Sequence, residues 1–334
     1  MLDFMFKKKK YLNCPYLKNG IHFFMDDIRA CCSNVRGPVF YKNYDGSESV
    51  DWDYVYKKRL KYVKKINSAF NNKSFPDECR GCYLIPKFLS DKKVPEFENK
   101  VSTFWIQNNM FCNAKCIYCV FSGFERDYKY DVIPLLKDLI KHNYFDKNAE
   151  ITLSGGEITI IPDFDELLEI FLSYFNSKIH IFTSGIKYST AIEKALGENR
   201  CDLLISLDSG TRETYLAIKG VDCFEKITDN LKNYISKTPN AKESIFLKYI
   251  LINAINDNYT ELEKFLNLVS ELGIKKVLFD IDYLYYRFEN NRLIPKFYYK
   301  FSDKYKELAE VRNLNFVIGN QTRAILDKWR TYYQ

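Results

Sequence analysis

The amino-acid sequence predicts an α/β protein, a partial (β/α)6 TIM-like barrel preceded by a small cysteine-rich metal-binding module. Two observations carry that prediction. From residue 101 onward, apolar runs rich in β-branched and aromatic residues alternate with stretches of helical periodicity. The first 95 residues lack this alternation, yet hold five of the chain's ten cysteines.

The elements follow in order. Residues 101–107 (VSTFWIQ), 150–153 (EITL), 178–183 (KIHIFT), 202–208 (DLLISLD), 244–252 (SIFLKYILI) and 275–282 (KKVLFDID) read as six strands. Helical spacing over 131–142, 163–175, 190–196, 224–235 and 259–272 places helices between them. Such alternation calls for a parallel sheet with right-handed crossovers, able to curl into part of a barrel. Residues 290–334 add a helix, a short strand at 315–318 and a closing helix, so the barrel with its extension spans 101–334. In this reading 1–95 is a separate module, helical over about 52–67, and the charged stretch 91–100 with Pro95 is the linker.

Composition narrows the class. At 334 residues with 46% hydrophobic and 28% charged side chains, the chain is globular and large enough to bury a core. Charged residues interrupt every apolar run before it reaches the roughly 18–20 residues of a membrane span. Lys7 to Lys10 follow rather than precede the apolar start, which is the reverse of a secretion signal. The expectation is a cytoplasmic protein, where thiols stay reduced and bind metal or do chemistry. The net charge of +7 is concentrated in residues 1–100, with 20 basic against 12 acidic side chains. An anionic partner or a merely solvated lysine surface accounts for it equally.

Cys112, Cys116 and Cys119 stand in FCNAKCIYC, directly after the first barrel strand, at the end where parallel α/β folds build their sites. Three thiolates on one tight loop can hold three irons of a four-iron cubane and leave the fourth open to a small molecule. A closed zinc site would require a fourth ligand, and none lies near in sequence.

On these residues the sequence resembles the radical S-adenosylmethionine (SAM) enzymes, whose signature is C-x3-C-x2-C with an aromatic before the last cysteine, here Tyr118. Ser154-Gly155-Gly156-Glu157 after the second strand resembles the family's GGE motif, which implies contact with the methionine amino group of SAM. Two glycines let main chain approach a ligand, and Glu157 offers an acceptor to an ammonium. The resemblance also implies SAM contacts at Thr183 and Ser184 after the third strand and at Ser206 and Asp208 after the fourth. Arg212 or Lys219 would then meet the SAM carboxylate. Polar residues at strand ends also serve as helix caps, and Ser209 or Thr211 fits that role.

Cys14, the pair Cys31-Cys32, and Cys79 with Cys82 supply four thiolates and a spare, the number for a closed metal site. Their LNCPYL and DDIRACC contexts resemble the SPASM and twitch modules, which implies an auxiliary 4Fe-4S cluster. Those modules usually follow the barrel, whereas this one precedes it. Structural zinc is the competing reading, and the sequence does not choose between Cys31 and Cys32. Cys201 and Cys223 read as core cysteines, and His22, His142 and His180 as structural.

The resemblance implies an oxidoreductase or maturase that cleaves SAM to a 5′-deoxyadenosyl radical and takes hydrogen from a peptide or protein side chain. Its expected electron donor is an external one-electron reductant such as flavodoxin or ferredoxin. A sugar or nucleotide-linked intermediate of cell-surface polysaccharide synthesis is the second substrate class. A nucleic-acid-binding protein with structural metals, using Lys7 to Lys10 and the segment 57–65, is the alternative of another class. Tyr283, Tyr285 and Tyr286 are candidate pocket aromatics.

Overall fold

The computed structural model describes residues 9–31, 37–72, 74–123, 127, 129–282 and 296–333. Cys32, Tyr283, Tyr285, Tyr286 and the first eight residues lie outside them. The chain divides into two compact units, one of Met1–Met110, Asp127–Gly155 and Glu166–Ser177, the other of Phe111–Arg126, Gly156–Asp165 and Lys178–Gln334. Each is α/β, with a mixed sheet in the first unit and a parallel one in the second. Among the described residues no helix is long and apolar enough to cross a membrane.

In the first unit β1 (Tyr11–Leu12) pairs antiparallel with β5 (Leu89–Ser90). The main sheet is built from β2 (Gly20–Phe24), β3 (Asp27–Arg29), β4 (Val39–Tyr41), β6 (Val101–Gln107) and β7 (Phe145–Leu153), in the order β7-β6-β2-β3-β4. β7, β6 and β2 run parallel, and β3 and β4 continue antiparallel. The N-terminal residues therefore extend the sheet through β2 rather than stopping at a linker near residue 95. These three strands have three to five residues each, and β2 (GIHFF) is buried on both faces, so no two-residue alternation marks them. The helix Trp52–Asn71 is capped by Asp51, whose carboxylate accepts from the Tyr54 N–H at 2.9 Å. It buries Val55, Val63, Ile66 and Phe70 along one stripe.

The second unit orders its strands β12-β11-β10-β9-β8, with every pair parallel: β8 (Ile179–Thr183), β9 (Cys201–Ser206), β10 (Ile245–Leu251), β11 (Lys276–Ile281) and β12 (Asn315–Ile318). Register puts Ile181, Leu203, Leu247 and Val277 on one fully buried face. Beneath it Tyr249, Phe265, Phe279, Phe301 and Tyr305 interlock, with Tyr249 and Phe265 at a centroid separation of 5.0 Å. The opposite face, with Phe182, Leu204, Ser206, Lys248 and Leu278, is only half buried. A seventh strand, β12, thus joins the sheet, and the helix Arg212–Lys219, capped by Thr211, precedes the helix Phe224–Lys237 between β9 and β10.

Candidate functional site

In the second unit the cysteine loop is pinned by main-chain hydrogen bonds. The Lys115 N–H donates to Lys219 O at 2.8 Å and the Ile117 N–H to Ile218 O at 3.0 Å, so the loop is stitched to the last turn of the helix Arg212–Lys219. Gly220 ends that helix at φ +64°, and a Cβ there would sit 3.1 Å from Lys115 O. Cys112, Cys116 and Cys119 are all half-buried. Burial pushes the Cys112 thiol up to about 11 and raises that of Cys116. Neutral thiols in such a setting release their protons only to a compensating cation. The Ala114 N–H points at the Cys112 sulfur from 3.4 Å.

Three thiols share one loop and an N–H is directed at one sulfur, a donor set that fits an iron-sulfur cluster.

Tyr118 sits between the last two cysteines, and its hydroxyl meets two buried charges. It donates to Asp208 Oδ2 at 2.6 Å and accepts from the Lys219 ammonium at 2.5 Å. Lys219 also pairs with Asp208 and stands 4.9 Å from the centre of the Tyr118 ring. Asp208 is not the end of a strand, as the sequence suggests, but a left-handed residue at φ +64°. Its Oδ1 accepts from the Ile250 N–H at 2.8 Å, and its carbonyl accepts from Asn256 Nδ2 at 2.8 Å. Sequence reasoning missed Asn256, although INDN in a loop after a strand is the sort of Asn-rich turn that holds backbone in place.

Glu157 is buried and turned toward its own chain. Its carboxylate accepts from Thr159 N–H at 3.2 Å, from the Thr159 and Thr183 hydroxyls at 2.6 Å each, and from the Ser184 N–H. Ser184 in turn donates its hydroxyl to Asn113 Oδ1 on the cysteine loop at 3.1 Å. The structure thus brings Glu157, Thr183, Ser184 and the loop together, with Glu157 as organiser of the turn after β8. Gly156 precedes it, half-buried. Ser206 lies on the half-buried face of β9, in register with Lys248. Arg212 is half-exposed and pairs with Asp222, its Nε 2.9 Å from Oδ1, leaving Lys219 as the basic residue beside the loop.

In the first unit, Ser154 Oγ accepts from Trp105 Nε1 at 2.6 Å. Gly155 has φ +123°, and a Cβ there would lie 2.6 Å from Asn109 O, so only glycine lets these two backbone segments touch. The same unit gathers the N-terminal cysteines. Cys14, Cys31, Cys79 and Cys82 line one small apolar cavity with Leu12, Leu17 and Ile85. Burial raises the Cys14 thiol to about 11 and that of Cys79 to about 12, each with neighbouring cysteines as further causes. Cys201 is fully buried and Cys223 precedes the helix Phe224–Lys237.

Residues 109–269 match the family model of the Radical SAM superfamily. The chain is similar to the mycofactocin maturase MftC of Mycobacterium tuberculosis, 26% identical over 163 residues that make up 48% of this chain and 40% of that protein. It is also similar to a probable GTP 3′,8-cyclase of Saccharolobus islandicus, 26% identical over 172 residues, 50% of this chain and 52% of that one. The chain thus spans about half the length or less of these relatives. Among solved structures, Streptococcus suis SuiB bound to the precursor peptide SuiA has a like fold, with a TM-score of 0.51 at 14% identity, covering 84% of this chain and 57% of SuiB.

Proposed function

We propose that the chain is a radical SAM enzyme with a partial-barrel fold that takes a hydrogen atom from a peptide or protein side chain, with an auxiliary 4Fe-4S cluster held by its N-terminal cysteines. Cys112, Cys116 and Cys119 would hold a four-iron cluster, which when bound would supply the electron for reductive cleavage of SAM. The single observation that carries this reading is the cysteine loop, three half-buried thiols pinned by main chain to one helix end. Gly156, Thr183 and Ser184 then offer the polar backbone for SAM, and Glu157 serves by ordering their turn. The half-buried face bearing Ser206 and Lys248 is the place for ribose and substrate.

For the auxiliary centre, the four thiols around one apolar cavity support Cys14, Cys31, Cys79 and Cys82 as a complete ligand set, with no iron left open. A peptide substrate is supported by the similarity to a maturase and by the like fold of a protein bound to a precursor peptide. The likeness to a probable GTP 3′,8-cyclase favours a nucleotide-linked substrate as the second reading. The electron donor is an external reductant such as flavodoxin or ferredoxin, in the reducing cytoplasm.

Anaerobic reconstitution tests the reading. The protein should be brown and convert SAM to 5′-deoxyadenosine when reduced. Changing Cys112, Cys116 and Cys119 together to Ala should remove one cluster's worth of iron and abolish that conversion. Cleavage that survives refutes the site. A colourless, zinc-bound protein whose binding to nucleic acid weakens steeply with salt would establish the other class instead.

A further inference from the structure

Lys219 and Asp208 form an ion pair that is almost completely withdrawn from solvent, with 3% and 0% of their surfaces exposed. Such a pair is a poor device for stability alone, because desolvating two charges offsets most of their attraction. Its placement suggests another use. The Tyr118 hydroxyl that joins the pair belongs to the residue between Cys116 and Cys119, so both charges are brought to the cysteine loop. Lys219 further holds the loop by its carbonyl, which accepts from the Lys115 N–H. One residue thus fixes the loop through its backbone and charges the loop's surroundings through its side chain.

We propose that Tyr118, Asp208 and Lys219 act as a positioning unit that sets the electrostatic environment of the Cys116 thiolate, and through it the reduction potential of whatever cluster that cysteine holds. The inference rests on the reading of Cys112, Cys116 and Cys119 as cluster ligands. Cluster potentials follow net charge and hydrogen bonds to the ligating sulfurs. A cation beside the sulfur favours the more negative, reduced cluster, and an anion disfavours it. The unit holds one of each, bridged by a hydroxyl that donates to Asp208 and accepts from Lys219.

Substitutions should therefore move the potential in opposite directions. In EPR-monitored redox titration of the reconstituted full chain, the cluster identified by its response to added SAM should become harder to reduce in Lys219→Met and easier to reduce in Asp208→Asn. Asn is suited to the left-handed backbone at 208, so this change keeps the turn. Tyr118→Phe, which removes only the hydroxyl, should give a smaller shift in the direction of Lys219→Met and keeps the proposal testable if either charge variant fails to fold. Opposed shifts support the unit; shifts of one sign, or none, overturn it, since a merely structural brace would not sort variants by charge. A wild-type chain that takes up no cluster at the three cysteines sinks both this inference and the reading beneath it. A chain that takes up the cluster with unsplit potentials sinks this inference alone.

Discussion

Single side chains in this protein are held by several partners at once, and their removal has calculable consequences. Glu157 satisfies Thr159, Thr183 and the Ser184 N–H from a site 1% exposed. Glu157→Ala should cost about 1–3 kcal/mol for the donors left unpaired, read as a lower urea midpoint, and should weaken SAM binding in equilibrium dialysis; unchanged affinity would show the turn to be structural only. His22 is a second case. It is buried with Nδ1 3.3 Å from Cys31 O and Nε2 3.0 Å from Gln107, and Arg29 stands nearby; burial lowers its pKa from 6.5 to about 4. The fold therefore favours the neutral ring. Its contribution is intact above pH 6.5 and is lost as pH falls toward 4, at up to about 1.4 kcal/mol per pH unit. Denaturant midpoints taken between pH 7 and 4.5 should fall with that slope in the native chain and fall less in His22→Gln. The cysteine triplet and the glycine pair were legible because their chemistry is local in sequence. Asp208, Lys219 and Asn256 were not fully legible, because Tyr118 meets its partners 90 and 101 residues away.

Elements were read well where they are long and one-faced. The strand at 101–107 and the strand at 315–318 have the limits read from sequence, and the helices between them agree within a few residues, since amphipathic periodicity survives any tertiary arrangement. β2 escaped notice because burial on both faces erases alternation, and β3 and β4 because three residues are too few to show a period. In the basic run of the helix Trp52–Asn71, Lys57, Lys61, Lys64 and Lys65 are exposed, but Arg59 is 4% exposed, donates to Gly20 O at 2.7 Å and stacks 4.8 Å from the Phe40 ring centre. Lys58 likewise donates to Phe40 O at 2.8 Å. Arg59 fastens the helix to β2 and β4, and burial lowers its pKa to about 9. Arg59→Ala should destabilise the protein by about 2–3 kcal/mol through orphaned carbonyls and lost packing, and Arg59→Met should recover part of that in thermal melts; equal melting of both variants with the native chain would mean the guanidinium does not join these elements.

For the whole molecule, the two cysteine groups lie in different compact units, the triplet in the second and Cys14, Cys31, Cys79 and Cys82 in the first. Their losses should be separable. Cys79→Ser with Cys82→Ser should lower iron by one cluster's worth, measured against protein, while SAM cleavage uncoupled from product continues; unchanged iron would rule out the auxiliary centre. The sequence places these cysteines in one group by number alone, and only folding shows that Cys14, Cys31 and the 79–82 pair, up to 68 residues apart, face a single apolar cavity. The stitching of Lys115 and Ile117 to the carbonyls of Lys219 and Ile218 carries a dynamic consequence: the cysteine loop has no independent opening motion at those two amides. In heavy water they trade their protons only as often as the adjoining helical turn frays, so a cofactor arriving there meets a cradle that is already rigid.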